Sequence, residues 1–446
     1  MASAASAGSE PATAAEPKQR KAKLVYPGLI IPFWLLVLCF AAWGSAANLT
    51  DVLVGVFRHI FLMSNFQSAL VQFAYYGAYF SLAIPAAFIN RRFGYKTGVL
   101  TGLGLASIGG LLFIPASSLL EFAPFLVALF VLAARLSILE TSANPFVIAM
   151  GPEESATQRL NLAQSFNPLG ANIGVLLGAV LILPAITSEA EKTIMSPAEL
   201  RAAQEDDLSL VLGPYLGIAA VLVIIWLLIA FRKMQTPSEQ AQEEEGTRPG
   251  AFGRLWRNHH YRYGVAAQFF NVAAQVCAWS FTIQYALDVV GVSPDHAGFY
   301  LQASLILFLI SRFVMVYLLG IVRPTLLLFS MAALGVVLCL IAMFSLNMLG
   351  LVAVVAISLS LSLMFPTIYG VALQGLGQDA KFGAAGLVMA ILGGALAPLV
   401  QGKLMDEVGT ALGFVVPAVC LALVGLYALF DLRTERGGGE LVSEVG

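Results

Sequence analysis

Apolar residues run along this chain in stretches of roughly 20 or more, the length that a helix needs to cross the hydrocarbon core of a bilayer. Short polar turns separate them. The pattern predicts crossings at 29–56, 66–89, 97–117, 122–149, 162–184, 211–231, 263–288, 297–319, 324–344, 348–373, 383–403 and 411–431. Lipid offers no partner to an open backbone amide, so the crossings are helices and not strands. The rhythm breaks in two places. Residues 1–26, rich in Ala, Ser, Glu and Pro and ending in Lys18, Arg20, Lys21 and Lys23, predict a disordered tail that stays on the protein. The stretch 232–262, which contains QTPSEQAQEEEGTRPG, predicts a polar linker between an N-terminal six-helix bundle (27–231) and a C-terminal one (263–431), with a tail at 432–446.

Composition agrees with an all-α integral membrane protein. The 446 residues are 59% hydrophobic and only 11% charged, and the mean hydropathy is +0.84. A net charge of -2 excludes a basic nucleic-acid binder, so the expected partners are the lipid bilayer and a small molecule from water. Cys39, Cys277, Cys339 and Cys420 lie inside apolar runs without metal-ligand spacing, and predict small core residues; no metal or cofactor is expected. His59, His259, His260 and His296 fall at loops or helix ends, so a proton crossing the interior would ride on carboxylates. Lys and Arg gather on the side of the two termini, at Arg91, Arg92, Lys96, Arg159, Arg232 and Lys233 among others. The positive-inside rule places both termini in the cytoplasm. No HExxH, GxSxG or nucleophile and base pair lies in the helices, which argues against an enzyme.

Two acids stand inside apolar segments, where a carboxylate costs roughly 2.5 to 3.5 kcal/mol at mid-membrane on insertion scales. Asp51 follows AAWGSAANLT, with Asn48 three residues earlier on nearly the same face. It either snorkels to the outer interface or faces the interior, and the run VLVGVF after it favours the interior. Glu140 sits in LSILETSANPFVIAM with Asn144 one turn on; it is a functional acid, a tie between helices, or both. Arg135 precedes Glu140 by five residues, a rotation of about 140 degrees, so the two do not stack; Arg135 could serve the other half, a substrate or Asp51. Asn161, Gln164 and Asn167 form an amide stripe in the fifth crossing, loosely continued by Asn172. Asn271, Gln275, Trp279 and Gln284 recur at roughly helical spacing in the seventh. Amides donate and accept, which suits either a hydroxyl-rich sugar or a neighbouring helix.

The six-plus-six layout resembles the major facilitator superfamily, with two bundles around a central cavity. The turn AAFINRRFGYKTG resembles that superfamily's Gly-x-x-x-Asp-Arg-x-Gly-Arg-Arg signature through Arg91, Gly94 and Lys96, with Asn90 where aspartate is usual. The strings NLTD, SNFQSALVQFAYYGAYF, LETSANPF, RLNLAQSFN, QFFNVAAQVCAWS, FPTIYG and LGQDAKFG are similar to those of the bacterial L-fucose/proton symporter family, over about residues 30 to 430. The resemblance implies proton-driven monosaccharide uptake by alternating access in the bacterial inner membrane, by a protein functional as a monomer. It implies Asp51 and Glu140 as the protonation and sugar-coupling carboxylates, Asn48, Gln164 and Asn167 facing the cavity, and Trp43 and Trp279 near it. Arg135 departs from a small residue of the fucose branch, and Asn271, Gln284 and Phe365 replace a tyrosine, an arginine and a tyrosine. A proton-independent facilitator and a non-transporting sugar sensor are the alternative expectations.

Overall fold

The computed structural model describes residues 23–60, 65–119, 122–177, 195–236 and 250–443; within the first two helices the side chains of residues 49–75 lie outside that description. Among the described residues the regular elements are all helical. The first half contains α1 (Ile30–Ile60), α2 (Asn65–Leu119), α3 (Phe122–Ala149), α4 (Ala156–Leu177) and α5 (Pro197–Ala230). The second half opens on the short α6 (Ala251–Arg257), followed by α7 (His259–Tyr285), α8 (Pro294–Leu318) and α9 (Pro324–Phe344). It closes with α10 (Met348–Leu361), α11 (Met364–Leu373), α12 (Ala380–Met389), α13 (Gly393–Val408) and α14 (Val415–Ser443).

Three breaks reconcile these helices with twelve crossings, six in each half. Gly94 has φ 82 and ψ 165 inside α2, a conformation that side chains with a Cβ resist, and there the second crossing turns into the third. Pro366 in the first turn of α11 has no amide to donate backwards, so α10 and α11 make one broken crossing. A 3-10 turn at Ala390–Leu392 joins α12 to α13 in another. Seven apolar spans qualify as crossings on length and hydropathy among the described residues, and α4 and α7 are not among them. Those two helices carry the amide stripes.

Several boundaries differ from the sequence expectation. The sixth crossing starts inside a longer helix: α5 begins at Pro197, where Ser196 and Glu199 form a reciprocal capping box. The polar linker expected at 232–262 is helical from 251, because Ala251 and Leu255 share a buried face one turn apart and Phe252 packs on Phe382 at 4.9 Å. Arg254 then forms a two-armed ion pair with Asp379, 2.7 Å on each arm. Residues 237–249 and the tail through 22 lie outside the described residues. At the other end α14 continues through the expected tail to Ser443.

The buried side chains form two clusters. One gathers Phe33, Phe40, Tyr95 and Phe146 of the first half, yet it also takes in Tyr369 of α11 and Phe382 and Leu387 of α12. The other, around Leu328, Leu361 and Phe414, belongs to the second half. The halves therefore share packing on the side where α1 begins, here called the terminal side. Arg159, expected as a surface cation there, is instead buried. It donates to the carbonyls of Val147 and Leu24 at 2.7 Å each, and also to those of Ile148 and Gly151. It satisfies the open end of α3. Asn90, in the turn signature, is buried too: its Nδ2 donates to Thr141 O at 3.1 Å and its Oδ1 accepts from Ser142 Oγ at 2.8 Å. An amide can do both, where a carboxylate could only accept.

Helices α1 and α4 touch backbone to backbone. A Cβ on Gly170 would lie 1.8 Å from Ala41 O, on Gly44 2.1 Å from Asn167 O, and on Gly174 2.3 Å from Ser45 O. Small residues four apart let helices approach this closely in lipid. Gly170→Leu should push α4 off α1 and destabilise the protein by about 3 kcal/mol or more. Folded yield in detergent is expected to collapse, whereas Gly28→Ala, with nothing within 4 Å, should be silent. A monodisperse Gly170→Leu protein with an unchanged melting temperature would contradict this packing.

Candidate functional site

The α1–α4 contact sets the wall of a cavity of about 220 Å³ between the halves. From the first half come Phe40 and Trp43 of α1, Tyr76 and Tyr79 of α2, Glu140 of α3, and Gln164 and Asn167 of α4. The second half adds Val272, Gln275 and Val276 of α7, Arg312 of α8, Phe365 of α11, and Ile391. Roughly 300–1,000 Å³ is usual for a drug-sized ligand, so this space suits a smaller solute. One acid, one cation, three amides and a set of aromatic faces meet there.

Each polar group has a definite attachment. The Tyr79 hydroxyl hydrogen-bonds the Glu140 carboxyl, while the second oxygen, Oε2, is buried without a protein partner. Gln164 Nε2 donates to Asn144 Oδ1 at 2.8 Å, and Asn167 Nδ2 reaches Phe40 O at 3.4 Å. Trp43 stacks on Phe40 with ring centroids 5.4 Å apart. Arg312 Nη1 donates to Gln164 O at 2.7 Å from the opposite half.

Below this layer the halves are closed against each other on the terminal side. Asn161 Nδ2 donates to Thr367 Oγ1 at 3.1 Å, and the Tyr369 hydroxyl reaches Glu140 O at 3.5 Å. Further down, Phe88 meets Phe382 edge-on at 5.1 Å, Arg91 lies over the same ring at 5.3 Å, and Gly375 N donates to Glu153 Oε1 at 3.2 Å. Among the described residues these contacts join the two halves on that side.

The structure brings Glu140, Gln164, Asn167 and Gln275 together, with Trp43 beside them. It does not bring all the expected residues to the cavity. Asn144 is fully buried behind Gln164. Asn48 bonds back to Gly44 O at 3.2 Å within α1. Asn271 is buried one turn from Gln275, with neither amide atom partnered. Trp279 is turned to Ser358 Oγ at 3.0 Å and packs on Phe308, and Gln284 is exposed. Asp51 stands on the path of α1, and its side chain lies outside the described residues. Arg135 is 2% exposed and faces α1, where Cys39 is within its electrostatic reach.

Sequence reasoning missed Arg312, Tyr76, Tyr79 and Phe40. Arg312 had a signal: it interrupts LILFLISRFVMVYLL, a cation inside an apolar run, by the same reasoning that singled out Arg135. The tyrosines had none, because aromatic residues in a membrane helix look alike whether they face lipid, core or cavity.

The Major Facilitator Superfamily model matches residues 34–391. The L-fucose-proton symporter of Escherichia coli K12 is 38% identical over 413 residues, which cover 91% of this chain and 94% of that protein. The glucose/galactose transporter of Brucella abortus is 35% identical, with 90% and 93% covered. The crystal structure of the transporter FucP in the outward conformation superposes with a TM-score of 0.86 at 38% identity, over 91% of this chain and 99% of that one. A closed terminal side, two six-crossing halves and this likeness along nine-tenths of the chain agree: the protein is a membrane transporter, not an enzyme, and belongs to the major facilitator superfamily, in the group of the L-fucose-proton symporters and glucose/galactose transporters.

Proposed function

We propose that this protein takes up a monosaccharide, a hexose or deoxyhexose, together with a proton by alternating access. It does so in the bacterial inner membrane, as a monomer, with both termini in the cytoplasm. The observation that carries this reading is Glu140 lining a small cavity with Gln164, Asn167, Gln275 and Trp43. The amides match sugar hydroxyls, the indole offers a face for the apolar side of a pyranose, and the acid supplies a site for the proton. The protonated acid carries no charge into the closed cavity, which makes the loaded cavity easier to close. Asp51 is assigned the coupling role with Arg135 as its charge partner, and Asn144 and Asn271 support the binding set from behind it, whereas Asn48, Trp279 and Gln284 are turned elsewhere. Of the four departures from the fucose branch, Phe365 is the one on the cavity wall, so the missing phenol hydroxyl there is expected to shift preference among sugars.

Purified protein in proteoliposomes tests the reading. Labelled L-fucose, D-galactose or D-glucose should accumulate against its gradient when the outside is acidic, and adding sugar to weakly buffered vesicles should raise the external pH. Uptake without a pH change would mean a facilitator. Binding without counterflow would mean a sensor. Accumulation driven by Na⁺ at equal pH would replace the coupling ion.

A further inference from the structure

Arg312 lines the cavity at 7% exposure, and among the described residues it makes no ion pair. Nη1 donates to Gln164 O at 2.7 Å, the guanidinium carbon lies 4.8 Å over the Phe308 ring, and the buried Nε has no partner. A phenyl face attracts the charge but fills no N–H donor. Leaving a guanidinium donor unfilled in a desolvated site is costly, so such a group is one that a ligand is suited to complete.

The hydrogen bond that Arg312 does make crosses from α8 to α4, from one half to the other. Two further contacts close the same seam: Gln158 Nε2 to Val316 O at 3.1 Å, and the rings of Phe166 and Phe313 at 5.9 Å. Neither Gln158 nor Val316 lines the cavity. Arg312 does, so it touches both the seam and the space where a solute sits.

We propose that Arg312 is the residue through which a bound sugar ties the two halves together: one N–H arm holds α4 at the Gln164 carbonyl, and the remaining donors go to hydroxyl oxygens of a neutral monosaccharide. This rests on the sugar reading of the cavity. A ligand moves a conformational equilibrium only through contacts that differ between states, and a planar fork shared by ligand and both halves is complete only when the halves are close. Neutral sugar is favoured over a sugar acid because Glu140 shares the same small space and, each time it gives up its proton, would set a second negative charge against a sugar carboxylate.

The test uses the full chain with spin labels at Phe231 and Tyr317, exposed positions in different halves. L-Fucose, D-galactose and D-glucose should shift the label distance in the otherwise wild-type protein. Arg312→Lys keeps the charge and loses the fork. It should keep the sugar-free distance and a melting temperature within a few degrees, bind sugar about tenfold or more weakly, and lose the sugar-induced shift. Wild-type affinity with a wild-type shift in Arg312→Lys would overturn the assignment. If that variant does not fold, a monodeoxy series of the best sugar on unsubstituted Arg312 decides: one derivative must lose the shift, and equal responses from all would overturn it. Tighter binding of galacturonate or glucuronate than of neutral sugars would also overturn it. If the wild-type protein answers to no sugar, the transport reading itself falls; if it answers and Arg312→Lys matches it, only the tie does.

Discussion

Glu140→Gln is expected to give a folded transporter whose sugar binding no longer depends on pH and which no longer concentrates sugar. The substitution changes one atom. Glutamine keeps an oxygen for the Tyr79 hydroxyl, so the hydrogen bond that orients the side chain survives. What it removes is the choice between a charged and a neutral state. Under the proposed mechanism the neutral carboxyl donates to a sugar oxygen and carries no charge into the closed cavity, so affinity should be highest in acid and fall as pH rises. The amide is neutral throughout, and the affinity profile becomes flat. At one proton per sugar a gradient of one pH unit can hold about a tenfold sugar gradient. The wild-type protein should approach that ratio in proteoliposomes and Glu140→Gln should stay near unity. A Glu140→Gln protein that retains the pH-dependent affinity and the full accumulation ratio would remove Glu140 from the coupling.

The fold was legible because its main determinant is length. Runs of twenty apolar residues have one outcome in lipid, and the composition break at 232–262 marks the division into halves. What stayed hidden depends on contacts between distant segments. The helix at 251–257 has the sequence AFGRLWR with only Ala251 and Leu255 buried, and it is Phe382 and Asp379, some 130 residues away, that give it a seat. Arg159 looked like a surface cation because nothing local shows that the end of α3 would fold over it.

The site divides in the same way. Glu140, Gln164, Asn167 and Gln275 were found by a rule of cost: an acid or a row of amides in a membrane helix needs a reason. The rule finds polar residues but does not say which way they face. Asn271 and Gln275 are one turn apart on α7, yet only Gln275 reaches the cavity, and Gln284 is turned to the outside. Facing is set by close approaches such as that of Gly393 to Phe269 O, 2.2 Å from a Cβ built there, which fix how α7 is rotated.

Asp51→Asn should separate transport from coupling. Asp51 follows Trp43 by two turns on α1, away from the closed terminal side, and Arg135 faces that helix from α3. Under the proposed mechanism an acid at this position takes its proton before the sugar layer closes, and its charge, with Arg135 as the proposed partner, decides whether the empty carrier can return without a proton. Asparagine fixes the neutral form. The loaded and empty carriers then cycle alike, so sugar equilibrates but is not concentrated. Counterflow of labelled sugar should run at a rate within several-fold of wild type, while accumulation driven by one pH unit should fall from about tenfold to none. Unlike Glu140→Gln, this variant should keep the wild-type dependence of sugar affinity on pH, because the sugar-facing carboxyl is intact. Accumulation at the wild-type ratio would show that the proton does not ride on Asp51. Loss of counterflow together with accumulation would move Asp51 from the coupling step to sugar binding or folding, which the melting temperature of the purified variant distinguishes.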